Sequence, residues 1–174
     1  SFQLDNPERG FSLKSEGPLD MRMDQEDLVS AKDLINSLNE RQIDEILKEY
    51  GEERWHKRIA RHLVSRRPIE TNQQLNEIIL KAIPRGRAWQ KIHPATRTFQ
   101  AFRIAVNREL EAIEEALEKA IGFLSPEGRI CVIAFHSLED RIVKVKFRDW
   151  AKAGVVQLIT KKPLQSGDNE INGN

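Results

Sequence analysis

The segment Arg129-Ile130-Cys131-Val132-Ile133-Ala134-Phe135 constrains the fold of this chain more than any other. It is a nearly unbroken apolar, β-branched run, set between a turn at Ser125-Pro126-Glu127-Gly128 and the polar pair His136-Ser137. Such a run is expected of a strand buried on both faces, as in a parallel sheet. A second strand is expected from Val155 to Thr160, and a helix fits between them from Leu138 to about Ala153. The order helix, strand, helix, strand predicts half of a doubly wound α/β domain.

The remainder of the chain reads differently. Residues 1–26 are loop-like, punctuated by Pro7, Gly10, Gly17 and Pro18. Ser30 stands where an N-cap would, ahead of Leu34, Ile35 and Leu38; a second helix carries Ile43, Ile46, Leu47 and Tyr50, with Gly51 as its stop. A third is expected from Glu52 to Arg66, with Trp55, Ile59 and Leu63 inside and Arg54, Lys57, Arg58 and Arg61 outside. Thr71 caps a fourth, which Pro84 ends. From Ala95 to Leu124 apolar residues recur at steps of three or four, as one long helix with room for a break near Asn107. The α/β pieces are each too small to close a core, so the helices read as an all-helical insertion over 27–93, between 1–26 and 94–164, with a loose polar tail at 165–174.

Charge marks the same insertion. The 174 residues carry 28 Lys+Arg and 27 Asp+Glu, a net of +1, but the sum hides its distribution. Residues 1–53 have a net charge of −8, residues 54–108 of +11 and residues 109–174 of −2. Ten of the 13 basic residues in the middle block are Arg, whose planar fork suits phosphate. His56, His62 and His93 lie in the same block. Nucleic acid is the expected partner, through Arg54, Lys57, Arg58, Arg61, Arg97 and the basic loop Arg85, Arg87 and Lys91 around Trp89. A solvated surface is the bland alternative.

Other classes are excluded or weakened. No apolar run reaches 18 residues, which rules out a spanning helix, and the lone Cys131 excludes an internal disulfide framework and suits a reducing, cytoplasmic setting. No metal is expected, because His56 and His62 are six residues apart and face different sides of their helix. Ligands of open α/β sheets bind beyond the carboxyl ends of strands, which places His136 and Asp140 as candidate catalytic groups. The same residues also fit a helix start, with Ser137 as the cap and Glu139 and Asp140 favouring its positive end. Asp20-Met21-Arg22-Met23-Asp24 reads equally well as an ion-paired loop.

Four long motifs occur in order: Gln3-Leu4-Asp5-Asn6-Pro7-Glu8-Arg9-Gly10-Phe11-Ser12, Gly17-Pro18-Leu19-Asp20-Met21-Arg22-Met23-Asp24, His93-Pro94-Ala95-Thr96-Arg97-Thr98-Phe99-Gln100-Ala101 and Phe135-His136-Ser137-Leu138-Glu139-Asp140-Arg141-Ile142-Val143-Lys144. With Tyr50-Gly51-Glu52-Glu53-Arg54-Trp55 they closely resemble the ribosomal RNA small-subunit methyltransferase H family, also called MraW. The resemblance implies S-adenosylmethionine-dependent methylation of the N4 amine of a cytosine in the decoding region of 16S rRNA, on the small ribosomal subunit. It also implies a Rossmann-like α/β methyltransferase domain interrupted by a helical RNA-recognition domain.

In that family a Gly-rich cofactor loop, a ribose-binding acid and an Asp-Leu-Gly-x-Ser-Ser turn precede the Gln-Leu-Asp motif; here Ser1 resembles the last serine of that turn. The chain is thus expected to be an incomplete Rossmann-like domain, inactive alone, with Gln3 as its one cofactor-contacting position. The family's Arg-Ser-Arg-Ser-Ala-Lys-Leu-Arg stretch is replaced by Ser166-Gly167-Asp168-Asn169. A cytosine amine is a poor nucleophile, so the base must be splayed out and held in line, with Phe2, Phe11 and Phe135 as candidate stacking walls. The rival expectation is a non-catalytic RNA- or ribosome-binding remnant of such an enzyme.

Overall fold

Capping chemistry sets where most of the helices begin. In the computed structural model, which describes residues 6–13, 16–84, 92–160 and 162–164, Ser30, Asn39 and Thr71 each accept a hydrogen bond from the third helical N–H. The side chains of Asp33, Gln42 and Gln74 in turn accept from the cap N–H, closing three capping boxes. These start α1 (Ala31–Ser37), α2 (Glu40–Glu49) and α4 (Asn72–Ala82), with α3 (His56–Val64) between the last two. Further along come α5 (Thr96–Asn107), α6 (Glu109–Gly122) and α7 (Ser137–Lys152). A 3-10 turn covers Pro7–Arg9.

The chain forms two compact units, Ser1–Glu109 and Leu110–Asn174. In the first, α3 packs on α2 and α4, and α5 packs on α1 and α2. The helical spacing of apolar residues places Ile35, Ile43, Leu47, Ile59, Leu63 and Phe102 at zero exposure in one cluster. Phe11, Leu19 and Met21 join that cluster, so the segment before α1 anchors to the helices at these three residues. α2 ends at Glu49, just before the expected Gly51 stop, and it is Glu52, not Gly51, that takes a positive φ, of 44°. What requires glycine at 51 is close approach, since a Cβ there would lie 2.7 Å from the Arg97 carbonyl of α5. Glu52 to Trp55 are consumed in that turn, so α3 starts later than its apolar spacing suggests.

The segment from 95 to 124 is two helices, broken beside Asn107 where the sequence left room for it: Arg108 adopts a left-handed φ of 48° and its N–H closes α5 on the Ile104 carbonyl. A further expectation is corrected. The two expected strands are absent among the described residues, so the α/β sheet does not form there. The run 129–135 and the segment 155–160 make no ladder, and Ile133 and Phe135 are 77% and 88% exposed. A strand exists through its neighbours: without a second strand to take its N–H and C=O groups, β-branched composition leaves a segment extended at most. In the second unit Leu117 and Leu138 are buried, Lys146 pairs with Glu118 at 2.6 Å, and Phe147 and Trp150 lie 5.9 Å apart.

Candidate nucleic-acid interface

Helix α3 buries one side and charges the other. Ile59, Ala60 and Leu63 are fully buried, while Lys57, Arg58 and Arg61 are exposed, with Arg54 before the helix and Arg66 after it. Positions 57, 58 and 61 recur at helical spacing, so these three charges share one face of α3. No side chain of the N-cap residue, Trp55, closes the helix; instead the buried Glu53 carboxylate accepts from the Trp55 N–H at 2.9 Å. Arg61 lies 3.7 Å from Glu40 of α2, a solvent-exposed pair. The Arg54 guanidinium lies over the Trp55 ring, 5.3 Å from its centroid.

The electrostatic consequence is visible at His62. Burial, then the neighbouring Arg66, Arg58 and Arg61, push its imidazole below the ordinary value of 6.5. Its Nδ1 is shielded from solvent without a hydrogen-bond partner among the described residues. His56 is held differently, with its Nδ1 2.5 Å from the Asp44 carboxylate of α2. Arg97 is exposed, and one of its nitrogens donates to the Glu52 carbonyl at 2.9 Å, which ties α5 to the turn before α3. Arg85, Arg87 and Lys91 lie outside the described residues, as do Gln3 and Phe2.

The Asp20–Asp24 loop is the ion-paired structure that its charges suggest. Arg22 Nε donates to Asp20 Oδ1 at 2.7 Å and a terminal nitrogen to Oδ2 at 2.9 Å, a bidentate pair that holds the Asp20 carboxyl below its usual range. Sequence reasoning missed the two outer clamps. Arg9 donates to the Arg22 and Met23 carbonyls, and the Asn107 amide donates to the Met21 carbonyl at 2.7 Å while its oxygen accepts from the Met23 N–H at 2.6 Å. Only a left-handed Met21, with φ at 63°, lets the loop meet both clamps. No local signal marks Asn107, because its partners are some 84 to 86 residues away.

At the other expected site the structure places His136 and Asp140 on the first turn of α7. The cap of this helix is His136, not Ser137: its Nδ1 accepts from the Glu139 N–H at 3.4 Å, and the Glu139 carboxylate accepts from the N–H groups of His136 and Phe135. The imidazole can cap because His136 is extended, with φ −145° and ψ 168°, while Ser137 is already helical. Asp140 lies 2.5 Å from Lys144, one turn on. Of the candidate stacking residues, Phe11 belongs to the core of the first unit and Phe135 stands in solvent on the second.

Comparison with known proteins places this arrangement. A model of the MraW methylase family matches residues 1–174. Curated relatives named ribosomal RNA small subunit methyltransferase H are 46% identical in Halothermothrix orenii, over the whole of this chain and 62% of the relative, and 51% in Geobacter sulfurreducens, over 98% and 61%. Another, from Acaryochloris marina, is 49% identical over 98% of this chain and 56% of the relative. The chain spans about three fifths of the length of the relatives it matches. A match along the whole chain leads to one conclusion: the chain belongs to the MraW methylase family.

Proposed function

We propose that the protein to which this chain belongs transfers a methyl group from S-adenosylmethionine to the N4 amine of a cytosine in the decoding region of 16S rRNA, in the cytoplasm and on the small ribosomal subunit. The observation that carries the reading is the family match over residues 1–174, and the arginine face of α3 agrees with an RNA substrate. Within that protein, residues 1–26 and 94–164 serve the methyltransferase domain, 27–93 grip RNA, and 165–174 form a tail. No helix among the described residues is long and apolar enough to cross a membrane.

S-adenosylmethionine would supply an electrophilic methyl group. The described residues offer it no cradle: the sequence has no Gly-rich phosphate loop, and Gln3, the residue assigned to it by family resemblance, is outside them. By this reading the chain alone is inactive and needs no metal. His136 and Asp140 are its polar contacts near the reacting base.

The test is methyl transfer by the full-length protein to small ribosomal subunits, with the product mapped by mass spectrometry; methylation at any position but a cytosine N4 overturns the proposal. His136→Asn keeps an N-cap former and removes the imidazole, so a fall in kcat at unchanged stability supports the assigned contact. Arg58→Glu with Arg61→Glu is expected to weaken RNA affinity and flatten its salt dependence; unchanged binding across a salt titration removes α3 from the interface. A non-catalytic RNA-binding remnant is the second reading. Transfer by the full-length protein decides against it.

A further inference from the structure

Arg54 differs from the other cations of the α3 face in being stacked. Its guanidinium lies over the Trp55 indole at 5.3 Å, and the indole is packed against the core cluster of the first unit. The Trp55 backbone is fixed in turn by the buried Glu53 carboxylate. Arg54 is exposed and makes no ion pair among the described residues, and neither do Lys57 and Arg58 one turn further on. A guanidinium held over an aromatic ring turns its other side to solvent as a charged surface backed by the ring. Such a surface accepts a nucleobase only when the base is free of its duplex, since paired bases expose edges and not faces.

We infer that the Arg54–Trp55 pair is a stacking platform for an unpaired base, so that the basic face of α3 takes a single RNA strand with its phosphates toward Lys57, Arg58 and Arg61. This rests on the RNA-binding reading above and adds to it the kind of RNA. Arginine is specified by its plane: lysine would match the charge and lose the flat surface. Phosphate contacts alone would make lysine an adequate substitute.

The experiment uses the 174-residue chain with Trp89→Phe and Trp150→Phe, which leaves Trp55 as the one indole. An oligoadenylate of about 12 nucleotides, an RNA duplex with the same number of phosphates and inorganic polyphosphate are titrated at about 50 mM salt, with and without Arg54→Lys. The expected result is a change in Trp55 fluorescence with the single strand, and an affinity for it that drops roughly five-fold or more in Arg54→Lys. Duplex and polyphosphate affinities stay unchanged. If all three ligands bind and Arg54→Lys affects none of them, or all three equally, stacking is overturned and the RNA-binding face stands. If the parent chain binds none of them, the RNA-binding reading falls and takes the platform with it.

Discussion

The two units use similar apolar side chains to opposite ends. In the first, Phe102, Ile43 and Leu63 are wholly buried and even a loop residue such as Met21 is 1% exposed; in the second, Phe123, Ile133 and Phe135 are 77–88% exposed. Composition does not separate them. The difference is that α1 to α5 each find a partner surface within the unit, whereas the apolar run 129–135 needs strands on either side and pairs with none among the described residues. Hydrophobic residues stabilise only where something removes them from water.

The sharpest way to break this contrast is to truncate one phenylalanine in each unit. Phe102→Ala is expected to cost about 3–5 kcal/mol in equilibrium denaturation, and Phe135→Ala less than about 0.5 kcal/mol. Equal costs would mean that Phe135 is packed in solution. Next in size is Asn107→Ala, which leaves the Met21 carbonyl and Met23 N–H without their clamp; a loss of about 1–3 kcal/mol in the first unit is expected, with α6 and α7 unaffected by hydrogen exchange.

A smaller effect follows from Asp20. Its carboxyl is held below the ordinary 3.8 by the Arg22 hydrogen bonds, so the stability that the pair contributes is present above that value and is lost as pH falls through the lower folded one. Acid titration of the unfolding midpoint should show this loss below about pH 4, and Asp20→Asn should remove that part of the pH dependence. The smallest is at His62, where the folded state resists protonation: stability is complete above 6.5 and declines as pH drops below it. NMR titration of the His62 ring is expected to give a midpoint below 6.5, and Arg66→Gln to move it upward. An unmoved midpoint would remove Arg66 from the causes.

Much of the first unit was legible in its residues. Ser30 and Thr71 cap as their spacing to Asp33 and Gln74 implies, and Ile59 and Leu63 of α3 face inward while Lys57, Arg58 and Arg61 face out. These follow from local geometry: a cap reaches three residues and a helix repeats every 3.6. What could not be read was the long-range part. Asn107 and Arg9 act on backbone groups whose proximity depends on how the chain folds back, and His136 displaces Ser137 as a cap through a one-residue choice of backbone angle.

By itself, then, the sequence determined the family, through motifs spread over the whole chain, the positions of the helices in 30–83, and the concentration of +11 in residues 54–108. Tertiary structure decided which of the described charges are paired and that the apolar run at 129–135 forms no strand among the described residues. The physical reason is range. Periodicity, capping and charge are properties of neighbours in the chain, whereas burial, clamping and strand pairing belong to groups that only the fold brings together.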